Sequence, residues 1–154
     1  MLISARYAVS ILTLGMLLSA CADTGNDTPA PATTAAETAS VDIQALLAAA
    51  DPEKGKVLFL QCRACHSLEQ GGANKVGPNL YGVFGQKAGL APGFAYSDAV
   101  LQSDIVWSAE TLNDWLARPS DFLAGNRMVF VGIREPDDRA NLIAYLQRET
   151  GAAP

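Results

Sequence analysis

Histidine, cysteine and methionine are scarce in this sequence of 154 residues, which has one His, three Cys and three Met. A single histidine cannot build a site that needs two, so two-histidine zinc centres and bis-histidine haem centres are excluded. Three cysteines cannot all pair within one chain. Basic residues are also few, since 11 Lys and Arg stand against 16 Asp and Glu. This balance argues against nucleic-acid binding, which needs a clustered basic surface to neutralise phosphates.

The first twenty residues have the profile of a signal peptide. Leu2 to Ala20 reads LISARYAVSILTLGMLLSA, with one positive charge at Arg6 and no acid before Asp23, which is a basic region followed by a short apolar stretch. The run ends in Leu-Ser-Ala-Cys and resembles the bacterial lipobox, whose cysteine, here Cys21, is lipidated and becomes the first residue. The alternatives are an uncleaved membrane anchor, short against the about 20 residues of a span, and ordinary cleavage, which leaves an unpaired thiol. The lipid and the uncleaved anchor both tether the protein to a membrane outside the cytoplasm.

Residues 21–50 are predicted to link this segment to a folded domain. Ala22 to Ser40 is rich in Ala, Thr and Pro and has no large apolar residue, so it cannot bury enough surface to offset its ordering entropy. Val41 to Ala50 has apolar residues at helical spacing, and either forms a short helix that packs on the domain or frays. The domain is expected over residues 51–150, with a tail at 151–154.

One motif of this domain carries chemistry, the CRACH segment of residues 62–66. CxxC occurs in zinc sites, in thioredoxin-like redox pairs and in haem attachment. Zinc needs four ligands, and Cys21 is the only Cys or His outside the motif. A redox pair follows a strand, whereas Val57 to Gln61 has the pattern of a helix end. The adjacent His66 favours covalent haem c, with two thioethers and an imidazole on the iron. The alternative is a disulfide beside an incidental histidine.

The sixth iron ligand can be sought by counting. Met1 and Met16 belong to the signal segment, and no second histidine exists, so Met128 is the one remaining thioether. Its alternative role is that of a flexible core filler, but it lies in a stretch with loop character, residues 123–130. A His66 and Met128 pair would raise the reduction potential and leave no open coordination site. This favours electron transfer over oxygen or peroxide chemistry.

Residues 51–149 resemble a class I cytochrome c of the mitochondrial type, a kind found also in bacterial membrane-anchored cytochromes c. The segments that carry the resemblance are CRACH at Cys62–His66, GGANKVGPNLYGVFG at Gly71–Gly85, GLAPGFAYSDA at Gly89–Ala99, Trp107, RPSDFLAGNRMVFVGI at Arg118–Ile133 and DDRANLIAYL at Asp137–Leu146. The resemblance implies one covalent haem c wrapped by an amino-terminal helix, a crossing carboxy-terminal helix and smaller helices between them.

The resemblance also implies roles for single residues. Pro78 corresponds to the proline whose carbonyl accepts the other ring N–H of His66. Tyr96 and Trp107 correspond to residues that hydrogen-bond a haem propionate. Trp115 replaces a tyrosine near the methionine sulfur, so that hydroxyl is absent. Further positions correspond to residues that pack on the haem: Asn79, Leu80, Leu116 and Phe130.

Local patterns independently predict an all-α fold. Pro52 suits a first helical turn, and Gly55 permits close approach of another helix. Ser108 is a candidate N-cap for a helix that must stop before Pro119. Acids open the last helix, its apolar stripe follows, and no segment alternates with the period of a strand. The acids are Asp137 and Asp138, and the apolar stripe consists of Leu142, Ile143, Tyr145 and Leu146.

The basic ring that surrounds the haem edge in mitochondrial cytochromes c is weakened in this sequence. The domain from residue 51 onward has ten basic and twelve acidic residues, so long-range steering of partners is expected to be weak. A tether would compensate by raising effective concentration. Lysine positions of the ring are taken by Gln61, Ser120, Asp121 and Glu135, whereas a charge is kept at Lys56, Lys75, Arg127 and Arg134.

The function implied is that of a monomeric single-electron carrier, not an enzyme. The resemblance suggests a cytochrome bc-type complex as donor and a haem-copper oxidase as acceptor, at the periplasmic face of the bacterial inner membrane. One alternative is a five-coordinate haem peroxidase or gas sensor, against which stands the lack of a second histidine as distal acid or base. Another is a docked subunit of an oxidase.

Overall fold

The computed structural model describes residues 42–151. The predicted signal segment, the lipobox Cys21 and most of the predicted linker lie outside this range. The described residues form six α-helices, one 3₁₀ turn and a single isolated bridge between Lys87 and Val106, with no strand. The predicted all-α class is therefore confirmed. The helices are α1 (Ile43–Ala48), α2 (Pro52–Leu58), α3 (Asp98–Gln102), α4 (Ala109–Ala117), α5 (Pro119–Phe122) and α6 (Pro136–Glu149), and the 3₁₀ turn is Phe59–Gln61.

The helix ends follow the local sequence. The Ser108 side chain accepts the Thr111 amide, and the Thr111 hydroxyl accepts the Ser108 amide, which confirms the predicted cap of α4. α4 ends before Pro119, as predicted. Asp51 caps α2, whose first residue is Pro52. α6 begins at Pro136, one residue ahead of the predicted acids, and both acids fall in its first turn.

α6 is the central element, and it packs against α1, α2 and α4. Leu142 and Ile143 are almost completely buried, with Tyr145 and Leu146 close behind, so the predicted apolar stripe is confirmed. α2 crosses α6 at Gly55, where a side chain would collide with the Asn141 carbonyl. This contact confirms the predicted close approach and fixes the direction in which α2 leads into the 62–66 turn.

α1 settles the open alternative for residues 43–48 in favour of a docked helix. Asp42 caps it by accepting the Gln44 and Ala45 amides. Ile43 is 3% exposed and belongs to the hydrophobic core, and Gln44 donates to the Glu110 carboxylate at 2.7 Å. Residues 43–48 of the predicted linker region therefore pack on the domain predicted for residues 51–150. Within residues 42–151, no helix has both the length and the apolar character needed to cross a membrane.

Candidate haem site

The CRACH segment forms a tight turn that continues the 3₁₀ turn after α2. The Cys62 amide donates to the Phe59 carbonyl at 2.8 Å, and the amides of Cys65 and His66 both donate to the Cys62 carbonyl at 3.0 Å. These bonds continue the helical path, so two thiols and an imidazole arise from a single turn. Cys62 and Cys65 are free, partly buried thiols. The arrangement is not the disulfide that the sequence left open.

Burial, followed by the neighbouring Cys65, raises the pKa of Cys62 to about 11. The Cys62 thiol is therefore protonated at neutral pH. A thiol that adds to a vinyl group forms a carbon–sulfur bond, while its hydrogen goes to the other vinyl carbon. A neutral Cys62 thiol thus carries both the sulfur and the hydrogen that this addition to a haem vinyl group needs.

The imidazole of His66 is held from one side by the segment that contains Gly77 and Pro78. Its Nδ1 lies 2.7 Å from the Pro78 carbonyl oxygen, which is the contact that the sequence resemblance implied. A Cβ at Gly77 would come within 2.3 Å of the ring atom Cε1, so the ring lies directly on this glycine. With Nδ1 engaged, Nε2 is the nitrogen left to ligate a metal.

Burial lowers the pKa of His66, and the charge of Lys75 also lowers it, whereas the bond to Pro78 works in the opposite direction. A lower pKa favours the neutral imidazole, which is the form that binds metal ions. The environment of His66 is therefore suited to an iron ligand.

Met128 lies on the segment between α5 and α6. Asn126 shapes this segment, since its side chain donates to the carbonyls of Pro119 and Leu123 and accepts the Met128 amide at 2.9 Å. The Met128 side chain is partly buried and packs against the core, as does Phe130, whereas Val129 and Val131 point to solvent. The side chain thus packs on the interior side of this segment, and its role as iron ligand stays a prediction.

Tyr96 and Trp107, the predicted propionate contacts, are both partly buried. The Tyr96 hydroxyl accepts the Ala91 amide at 3.3 Å, and its ring meets Phe94 edge-on, with centroids 4.8 Å apart. The Trp107 ring meets Trp115 in a similar way at 5.3 Å. Aromatic packing fixes both side chains, and their contacts to a propionate stay predictions.

Asn79, predicted from the resemblance to pack on the haem, also makes hydrogen bonds within its loop, and its haem contact stays a prediction. Its side-chain amide donates to the Ser67 hydroxyl at 2.7 Å and to the Glu69 carbonyl at 3.0 Å, and its oxygen accepts the Tyr81 amide. Asn79 therefore ties the loop after the CRACH turn together. Its side-chain nitrogen and oxygen both have hydrogen-bond partners there.

The residues present fit a covalently bound haem. Two free thiols, one imidazole with a free ring nitrogen and one thioether are the donor set of a c-type centre. Large apolar side chains also pack against the core yet stay partly exposed, which suits the edge of a flat apolar macrocycle. These side chains are Leu80, Phe84, Trp107, Phe122, Leu123 and Phe130.

The all-α fold and this donor set define a c-type haem protein. The family model described as cytochrome c matches residues 52–149. The chain therefore belongs to the cytochrome c family, and its fold is that of a class I cytochrome c. Only α1 of the described helices lies wholly outside the matched range.

Similar proteins come from both eukaryotes and bacteria. The chain is 45% identical to cytochrome c of Chlamydomonas reinhardtii over 103 residues, which cover 66% of this chain and 92% of that protein. It is 43% identical to cytochrome c of Arabidopsis thaliana over 101 residues, 65% and 90% of the two chains. It is 44% identical to cytochrome c2 of Rhodomicrobium vannielii over 104 residues, 68% and 83% of the two chains.

Family membership establishes a carrier of single electrons that is not an enzyme, with one covalent haem c. When bound, the haem would supply one-electron redox chemistry. Cys62 and Cys65 would attach the haem and His66 would ligate its iron, and the Pro78 carbonyl holds the imidazole in one orientation. The apolar side chains around the site would keep water from a bound haem, which would lower the local dielectric constant and help to set the potential.

Proposed function

We propose that this cytochrome is a lipid-anchored carrier that takes electrons from a cytochrome bc-type complex and delivers them to a haem-copper oxidase. It would work at the periplasmic face of the bacterial inner membrane. The observation that carries this proposal is the order of segments in the sequence. An apolar run ends in Cys21, a linker with no large apolar residue follows, and a cytochrome c domain comes last.

The charge of the domain supports a tether. Ten basic residues against twelve acidic ones after residue 50 provide little long-range attraction to a negatively charged docking site. A carrier held in the same membrane as its partners meets them at a raised effective concentration without new contacts. The anchor would thus do part of the work that a strongly basic surface does in a soluble carrier.

The position of α1 is compatible with such a tether. Gln44 of α1 contacts Glu110, at the start of α4. The segment after Met128 contacts the other end of α4, where the Ile133 amide donates to the Leu116 carbonyl. Leu116 lies six residues after Glu110, or about 9 Å along the helix at 1.5 Å per residue. Gln44 and the segment after Met128 thus contact different ends of α4, which supports a tether joined through α1.

The anchor is tested on the mature protein and on a Cys21→Ser variant. Mass spectrometry should show the loss of residues 1–20 and the addition of acyl chains in the native protein only. An uncleaved anchor would instead keep these residues in both proteins. Retention of residues 1–20 in the native protein would overturn the lipid anchor while leaving a membrane tether in place.

Oxidase turnover in membranes tests the carrier role. The native protein and a soluble form without the anchor are compared at matched low copy number, with a third form in which a transmembrane helix replaces the lipid. We expect the soluble form to be slower and the helix-anchored form to match the native protein. Equal rates for the soluble and native forms would contradict the role of the tether. Co-purification with an oxidase at high salt would instead indicate a docked subunit.

A further inference from the structure

Lys75 is one of the four basic residues kept from the ring that surrounds the haem edge in similar cytochromes. Its ammonium group donates to the carbonyl oxygens of Arg63 at 2.7 Å and His66 at 3.1 Å. Both acceptors belong to the turn that carries the attachment thiols and the imidazole. Lys75 is an exposed residue whose ammonium group is nevertheless directed toward the haem-attachment turn.

The backbone beside Lys75 is fastened to the same turn. The Lys75 amide donates to the Gly77 carbonyl at 2.9 Å, and the Gly77 amide donates to the Cys65 carbonyl at 2.8 Å. The Pro78 carbonyl holds the His66 ring. Segments 75–78 and 63–66 are thus joined by two side-chain bonds of Lys75, one backbone bond and one imidazole bond.

The two carbonyls that Lys75 binds have no other donor within residues 42–151. Inside the turn, the amides of Cys65 and His66 go to the Cys62 carbonyl, and the amide of Arg63 goes to Phe59. The carbonyls of Arg63 and His66 receive none of these amides. A charged donor makes a stronger hydrogen bond than a neutral one, so the ammonium group holds both ends of the turn at once.

We propose that Lys75 is a positioning residue for His66, which fastens the attachment turn to the segment that orients the imidazole and places a positive charge beside the iron ligand. The charge adds a second effect. Oxidation of the haem iron adds one positive charge, and a neighbouring ammonium group disfavours it, which raises the reduction potential. The role goes beyond partner docking and does not depend on the proposed anchor or on the proposed partner complexes.

The test uses the haem-loaded, full-length protein with Lys75→Met, Lys75→Arg and the control Lys56→Met. Lys56 is an exposed lysine of α2, so its loss removes the same charge from the surface without removing a bond to the turn. Three quantities are measured: hydrogen exchange of the Gly77 amide, the paramagnetically shifted proton signals of the His66 ring, and the reduction potential.

We expect Lys75→Met to speed exchange of the Gly77 amide by about tenfold, because two charge-assisted bonds that close the segment are lost. The His66 ring signals should shift, and the potential should fall further than in Lys56→Met. Lys75→Arg, which keeps charge and donors, should restore all three properties. Gly77 exchange and His66 signals in Lys75→Met that match those of Lys56→Met would overturn the proposal, whatever the potential, because Lys75 would then act only as a surface charge.

Discussion

Gly55 of α2 lies directly on the backbone of Asn141 in α6, so closely that a Cβ at residue 55 would come within 2.0 Å of the Asn141 carbonyl oxygen. The same Cβ would lie 2.7 Å from the Cβ of Tyr145. Backbone atoms cannot rotate away from such a contact, so a larger residue must push the two helices apart. This crossing also directs the end of α2 toward the attachment turn.

We expect Gly55→Ala to destabilise the protein by about 1–3 kcal/mol, the usual cost of overpacking. The sign is informative, because alanine favours a helix over glycine by about 1 kcal/mol and would stabilise α2 if space were available. Denaturant unfolding of the haem-loaded protein measures the effect. Lys54→Ala, at an exposed position of the same helix, is the control and should stay near native stability. An unchanged or raised midpoint for Gly55→Ala would contradict the tight crossing.

Gly77→Ala should disturb His66 directly. The added Cβ would lie 2.3 Å from the ring atom Cε1 and 2.8 Å from both ring nitrogens, so the imidazole must move. We expect altered haem absorption and a lower yield of correctly ligated protein. Gly71→Ala is the matched control, since Gly71 has a φ of 70° but open space around it. It should cost only the backbone strain of about 1–2 kcal/mol, with a native spectrum.

Much of this architecture was predictable because it depends on residues near each other in the sequence. The Ser108 cap, the end of α4 before Pro119 and the stripe of α6 are local patterns, and all three were confirmed. The CRACH motif identified the cofactor for the same reason. The contact between the Pro78 carbonyl and His66 was expected from the family resemblance alone, because no local pattern indicates which carbonyl an imidazole will meet.

Other features could not be read from spacing. The bonds of Lys75 and Asn79 join loops whose approach depends on the whole fold, and hydrogen bonds of this kind leave no periodic signal. Asn126 did have a local signal, because Asn two residues before an amide often accepts from it. The docking of α1 depends on a surface that α4 and α6 form together, so the sequence could only leave its order open.

Ile43→Asp should release α1 from the domain. Ile43 is 3% exposed in the core, and burying an isoleucine contributes about 1.5–3 kcal/mol. Burying an aspartate without a partner costs more free energy than undocking the helix, so α1 should detach. The loss of unfolding free energy should therefore not exceed the contribution of the buried isoleucine. Urea unfolding measures the loss, and hydrogen exchange of residues 46–50 reports the detachment. Ala45→Asp, at an exposed position of α1, should change neither quantity.

Tyr96 is expected to make the protein less stable at high pH. Burial raises its pKa above the ordinary value, and the bond from the Ala91 amide opposes this only in part. The folded state therefore keeps the phenol protonated more strongly than the unfolded chain, whose tyrosines ionise near about pH 10. The stabilising contribution is complete below the unfolded pKa and is lost as the pH rises through the folded one. The free energy of unfolding of Tyr96→Phe, measured by denaturant unfolding across this pH range, should fall less steeply with pH than that of the native protein. Identical pH profiles for the two proteins would contradict the raised pKa of Tyr96.

Met128→Leu separates an iron ligand from a core filler. Leucine keeps the apolar volume, so a methionine that only packs can be replaced at a cost below about 1.5 kcal/mol and with no change at the haem. If the sulfur ligates the iron, the variant loses its sixth ligand, and its potential falls because a thioether raises it. We then expect the reduced Met128→Leu protein to bind carbon monoxide rapidly, in contrast to the native protein. Val129→Leu is the control, since Val129 is fully exposed beside the site, and it should behave as native. A Met128→Leu protein that binds carbon monoxide no faster than this control would show that the methionine serves the core alone.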